Sequence, residues 1–343
     1  MEQDVYRLHL TSPLHVGERG VGMAGTATSV PSDTLFSALC NALLELEGIG
    51  WLQDWLDAFL TRPAPFLITS TFPWAGDVLF YPRPMVRIDR GAGAEQDSSE
   101  DGKWLKKVTR VSAGGFGRIL AGDDLSGEMD EKVNRLAGDL WITAEERGAL
   151  PSRLDQVWHG PAPVARVALD RTANSSSLYQ VGEVRYLDGC GLWFGVRWRE
   201  PAWKELLEKA LSHLGESGIG GERSSGRGQF RWDRWESAHL PEAPTPGGRA
   251  VTLALYHPTA EEAEEGALDA AAYRLRPRGG WVGSQAGQGL RGKAVRMLEE
   301  GSVIGWTGEA GDLADVTPEG FDAHRVYRYG LAFPVAVGEG GDG

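Results

Sequence analysis

Three observations predict an α+β fold of two domains, the first a ferredoxin-like unit carrying a long insertion. The chain has 343 residues, more than the roughly 100 to 200 of one ordinary domain. Its best-formed segments run strand, helix and then, far downstream, strand, helix, loop, strand, the pieces of a βαββαβ unit. The stretch Pro241-Glu-Ala-Pro-Thr-Pro-Gly-Gly248 separates these from a later set of strands, because its prolines lock extended backbone and its glycines break regularity. The expected division is residues 1–240 with an insertion over about 72–185, a linker at 241–248 and a second domain at 249–343.

The elements follow in chain order. Val5-Tyr-Arg-Leu-His-Leu10 has the branched and aromatic composition of a strand, ended by Ser12-Pro13. Leu35, Leu39, Ala42, Leu43 and Leu46 recur at helical spacing, with Ser32 or Asp33 as the expected N-cap and Gly48 as the stop. Gly191 to Trp198 reads as a strand, and Pro201 to Leu214 as an amphipathic helix with proline in its first turn and Gly215 at its end. Gln229 to Trp235 alternates again as a strand. Within the insertion, Met129–Leu136 and Ala144–Leu150 are helix candidates. The second domain offers strands at Val251–Tyr256, Gly280–Val282, Ser302–Trp306 and Leu331–Val337, with a helix at Glu261–Ala272.

Apolar residues make up 41% and charged residues 24%, ordinary for a globular chain, while 47 glycines signal many loops with special backbone demands. Cys40 and Cys190 lack any metal-ligand spacing, which argues against a zinc site or disulfide framework and fits a reducing cytoplasm. The start, with Glu2 and Asp4, is unlike a signal peptide, and no run approaches the roughly 20 apolar residues of a membrane helix. A soluble cytoplasmic protein with no membrane partner is expected.

A net charge of −13 opposes nucleic-acid binding in sum, yet the cations cluster. Lys103, Lys106, Lys107, Arg110 and Arg118 form one acid-free island, and Arg274, Arg276, Arg278, Arg291, Lys293 and Arg296 form a second. The acids concentrate instead at Glu261–Glu265 and Gly122–Glu131, as solvated faces or surfaces for a basic neighbour.

The loop Gly218-Ile-Gly-Gly-Glu-Arg-Ser-Ser-Gly-Arg-Gly-Gln229 carries the chemistry. Gly218, Gly220, Gly221, Gly226 and Gly228 can turn successive N–H groups toward an anion, Ser224 and Ser225 add hydroxyls, and Arg223 and Arg227 add bidentate phosphate contacts. A plain flexible hairpin is the alternative. Nucleotide fingerprints do not apply, since a helix precedes the loop and a strand follows, and the lysine of a phosphate loop is missing. No cofactor is expected. Phe230 and Trp232 suit either base stacking or core packing.

Four segments in this order resemble the RAMP subunit of type III-A CRISPR (Csm) interference complexes that binds the 5-prime handle of the guide RNA. They are Ser12-Pro-Leu-His-Val-Gly17 leading into Pro31 to Leu39; Lys103-Trp-Leu-Lys-Lys-Val108; Arg166-Val-Ala-Leu-Asp-Arg-Thr172; and the glycine loop through Phe230. A weaker fifth is Arg278-Gly-Gly-Trp-Val-Gly283. The resemblance implies two ferredoxin-like (RRM-like) domains and a crRNA-binding subunit. Its handle contacts would come from the loop, with His15, Gly17 and Ser32 near it and Lys106, Lys107, Arg110, Arg171 and Arg278 sharing the contact. It also implies a hairpin thumb somewhere in Leu169–Arg185, set between guide and nearby target RNA, and two protein partners, the large polymerase-like subunit and the repeating backbone subunit.

Catalysis is the rival expectation, as a metal-dependent or acid–base endoribonuclease of the same superfamily. Asp33 is more simply a helix cap or first-turn acid than a metal ligand, and one carboxylate is not a two-metal site. His9, His15, His159 and His213 read as structural histidines. The expectation is a subunit with no catalytic and no metal-binding residues.

Overall fold

A computed structural model describes residues 1–17, 24–86, 107–123, 125, 134–136, 139–151, 154–170, 175–284 and 286–338. The chain begins with β1 (Glu2–Leu10), α1 (Ser32–Glu47), α2 (Ile49–Leu60), β2 (Phe66–Ile68), β3 (Phe72–Ala75) and β4 (Val78–Pro82). It continues through β5 (Arg110–Ser112), α3 (Ala113–Ala121), β6 (Arg135–Leu136), β7 (Leu140–Trp141), α4 (Ala144–Ala149), β8 (Trp158–Asp170) and β9 (Ser175–Tyr186). Next come β10 (Cys190–Trp198), α5 (Lys204–Ser217) and β11 (Phe230–Arg234). The second part contains β12 (Arg249–Thr252), α6 (Ala260–Glu264), β13 (Leu275–Arg278), β14 (Val295–Leu298), β15 (Val303–Gly305), β16 (Leu313–Asp315), β17 (Tyr327–Tyr329) and β18 (Pro334–Ala336).

A mixed α+β architecture results. Nine strands form one sheet in the order β11-β1-β10-β3-β4-β5-β7-β6, with β2 also on β10. β1 lies between β10 and β11, antiparallel to both, with Tyr6 opposite Phe194 on one side and Arg234 on the other. β10 does not alternate because it is buried on both faces. Phe194 stacks on Tyr6 at 5.2 Å, whereas Gly195 admits the Leu240 side chain and Arg197 donates to the Pro334 carbonyl in the second part. α1 and α5 cover the sheet with Leu35, Leu39 and Leu43 from one helix and Leu207, Leu211 and Leu214 from the other, the spacing of amphipathic helices.

Inside the segment expected as an insertion, β4 to β7 extend the main sheet, while β8 and β9 pair with each other as a long ribbon that a bridge from Val184 to Leu14 ties to the segment after β1. The helix expected at Ala144–Leu150 is α4, capped by Thr143, whose hydroxyl accepts from the Glu146 N–H. The one expected at Met129–Leu136 is not formed over its described end, where Arg135–Leu136 is a strand; residues 129–133 lie outside the described residues.

The second part has smaller sheets: β15-β12-β18, β13-β14 and β16-β17. The helix expected at Glu261–Ala272 stops at Glu264, ahead of Gly266 at φ +91°. Its Glu262 is not a solvated acid. It closes a capping box with Thr259 and accepts from the Tyr256 hydroxyl and the Gly311 N–H.

The N-cap of α1 is Pro31, with no side-chain cap bond, so the capping expected of Ser32 or Asp33 is not what these residues do. Both are buried where α1 meets the second part. Ser32 Oγ accepts from the Leu255 N–H at 3.0 Å, and Asp33 is 0% exposed between Arg278 and Arg328. A buried carboxylate persists only when paired, and here two guanidiniums do the pairing. No described helix is long and apolar enough to cross a membrane.

Candidate RNA-binding surface

The glycine loop leaves α5 through Gly218 at φ +86° and reaches β11 through Gly228 at φ +73°. At its far end Arg223–Ser225 form one 3-10 turn between Glu222 and Gly226, both left-handed. The loop closes on itself and on the segment after β1. Ile219 N–H donates to the Gly228 carbonyl, Gly221 N–H to His15 and Gly228 N–H to Pro13, at 2.8 to 2.9 Å. A Cβ on Gly220 would sit 2.3 Å from the His15 carbonyl oxygen, and one on Gly228 2.0 Å from that of Ile219. These glycines therefore serve close backbone approach.

The expected nest of N–H groups is thereby corrected. The Gly218, Ile219, Gly221, Ser225, Gly226, Arg227 and Gly228 amides donate to carbonyls of this chain. What the loop offers outward is its tip: Arg223, Ser224, Ser225 and Gly226 are exposed, while Gly218 and Gly228 are buried and Gly220, Gly221 and Arg227 half-buried.

Arg227 points inward to Glu183 of β9, with Nε and Nη2 at 2.8 and 2.7 Å from one carboxylate oxygen. The same oxygen accepts from Arg166 Nη2 of β8 at 2.7 Å, and Arg185 Nη2 lies 3.8 Å from the other. The Glu183 side chain is only 3% exposed, whereas that of Arg185 is largely solvated. His15, also buried, bonds through Nδ1 to the Gly182 carbonyl at 2.8 Å, and Leu14 and Val184 exchange both backbone bonds. Three segments thus meet at one point: the loop, residues 12–17, and the base of the ribbon. Three arginines around one carboxylate leave a positive excess there, with exposed Arg223 further along the loop, a surface suited to a polyanion.

Several expected contacts lie elsewhere. Ser32 is fully buried, so its hydroxyl meets no RNA. Arg278 is bidentate on Asp33 at 2.8 Å, and Arg110 is held by Asp139, Thr28 and Ser29; both are structural ties. Gly17 and Lys107 are exposed. Lys106 and Arg171 lie outside the described residues. Phe230 is buried, and Trp232 packs edge-on to Tyr6 while donating to Ser212, so both serve the core. Burial raises the Asp33 pKa, but the Arg278 and Arg328 guanidiniums outweigh it and hold the carboxyl below the usual range.

Glu183 and Arg185 belong to no motif in the sequence, and Arg166 only to a resembling segment. An acid within a basic and polar strand pair is the one signal that marks Glu183. The ribbon spans Trp158–Tyr186, starting earlier than the segment expected for a thumb, and presents Val167 and Leu178, paired across the strands, at 57% and 72% exposure.

Residues 245–337 match the family model of the CRISPR Csm4 C-terminal domain. The chain is 26% identical over 312 residues to the "CRISPR system Cms protein Csm4" of Thermococcus onnurineus, covering 89% of this chain and 91% of that one. It is 29% identical over 330 residues to the protein of that name from Mycobacterium tuberculosis, covering 95% of each. In fold it is similar to a chain of a Csm3-Csm4 subcomplex of the type III-A CRISPR-Cas interference complex, with TM-score 0.64, 15% identity and coverage of 97% and 99%. It is likewise similar to a chain of a Csm1-Csm4 cassette in complex with pppApA, with TM-score 0.59, 19% identity and 98% of both chains covered.

Proposed function

From its similarity to Csm4 proteins along most of its length and to the Csm4 C-terminal domain over residues 245–337, we propose that the chain is a Csm4-type protein, the non-catalytic crRNA-binding subunit of a type III-A CRISPR effector complex. In this reading it caps the 5-prime handle of the guide RNA and links a large polymerase-like subunit to the backbone subunits, within two ferredoxin-like domains divided near residues 241–248. The order β11-β1-β10-β3, antiparallel throughout, supports the first of these domains. The observation that carries the function is the junction at Glu183. There the loop, the His15 segment and the ribbon are locked together, with Arg185 and the Arg223–Ser225 tip facing solvent. Such a rigid cationic edge holds a phosphate backbone by position and charge, without reading bases. The ribbon, projecting from that junction, is the thumb that separates guide from target.

The test is retention of guide RNA by the full chain after Arg185→Ala and Arg223→Ala. Both are exposed, so the substitutions probe contact. Each should weaken binding and lower the slope of log affinity against log salt by about one for every phosphate left without its cation. Unchanged retention and slope would sink the reading, and magnesium-dependent cleavage of labelled repeat RNA by the purified chain would overturn its non-catalytic part.

A further inference from the structure

β13 and β14 run on past their paired residues into a second hairpin. Gly292 N–H donates to the Gly280 carbonyl, Val282 N–H to Leu290, and Trp281 bridges Arg291. At this tip the Trp281 indole is 65% exposed, although Val282 beside it is buried. One face of the indole is covered by the Arg291 guanidinium, 4.6 Å from the ring centroid. Gly283 seats the hairpin against Asn41 of α1, where an added Cβ would lie 3.7 Å from its side-chain amide.

An indole this exposed forgoes much of its burial energy. The stacked guanidinium orients it and adds positive charge at its rim. The stretch of chain that carries it is cationic: Ala270 to Leu298 holds six Arg and Lys and no acid. The three nearest the start, Arg274, Arg276 and Arg278, are engaged by Glu299 and Asp33. Arg291 and Lys293, toward the tip, are exposed, as is Arg296 further back opposite Pro277. A flat aromatic face with cations beside it fits an unpaired base and its phosphate. A protein partner offers acidic residues to the cations but has no particular match to the ring.

We infer that Trp281, oriented by Arg291, is a stacking platform for one unpaired nucleobase of a single-stranded RNA. This rests on the RNA-binding reading and adds a base contact remote in sequence from the glycine loop. The probe is a set of eight-nucleotide single-stranded RNAs of handle sequence, each with 2-aminopurine at a different position, bound to the full chain. One position should be quenched on binding. Trp281→Ala should abolish that quenching and weaken affinity by about five- to 150-fold, the range for removing one stacked base. Trp281→Phe should keep most of both, and Arg291→Ala should lower affinity and the salt slope. Circular dichroism checks that the variants are folded. The inference is overturned if Trp281→Ala binds within twofold of the unaltered chain with the quenched position unchanged, while Arg223→Ala still weakens binding. If the unaltered chain binds none of these RNAs, the RNA-binding reading falls with it.

Discussion

Asp33 and Arg278 stand 245 residues apart and form a bidentate ion pair, Nε to Oδ2 and Nη2 to Oδ1, both at 2.8 Å. Arg328 completes the cluster from β17. The carboxylate is fully buried, so removing it strands two cations between α1 and the second part. Asp33→Ala should cost about 3 to 5 kcal/mol in urea unfolding. The folded-state pKa is depressed, so this stabilisation is complete above the unfolded value of about 3.9 and is lost as pH falls through the folded one. A denaturation series from pH 6 to pH 2 should therefore decline more steeply for the unaltered chain than for Asp33→Asn.

Glu183 ties Arg227 of the loop to Arg166 of the ribbon through one oxygen. Glu183→Gln should cost about 1 to 3 kcal/mol, less than a fully buried pair because Arg166 and Arg185 keep contact with water. Hydrogen exchange should then quicken together at the amides of Leu14, Val184 and Gly221, which knit the three segments. Exchange confined to the loop would show that Glu183 does not couple it to the ribbon.

Gly226 and Gly228 share φ +73° but differ in surroundings. Nothing lies within 4 Å of a Cβ on Gly226, so Gly226→Ala should cost only the left-handed penalty of about 1 to 2 kcal/mol. Gly228→Ala adds a collision with Ile219 backbone and should cost more. Equal thermal unfolding of the two variants would contradict this.

The well-formed elements were legible: α1 and α5 follow from their apolar spacing, β1 and β10 from their branched and aromatic composition, and the loop between α5 and β11 from its glycines. Its meaning was legible only in part. Glycine composition is compatible both with a phosphate nest and with tight chain crossing, and only the hydrogen bonds to His15 and Pro13 decide for the second. Asp33 sits where caps sit, and its partners come from two strands 245 and 295 residues away, which no local pattern contains. The ribbon was hidden for another reason. Its strands are solvated over much of their length, so β8 and β9 lack the in–out alternation by which a half-buried strand is recognised.

β8 and β9 join no other described strand, and beyond the contacts of Gly182 and Val184 with residues 14–15 they leave rows of main-chain groups open to any extended chain nearby. Pro161 and Pro163 offer no N–H to such an intruder, and Arg166 and Arg185 set charge along the same stretch. A chain that carries so long a hairpin must survive collisions with its own copies. These four side chains let so long a hairpin stay unpaired in solution.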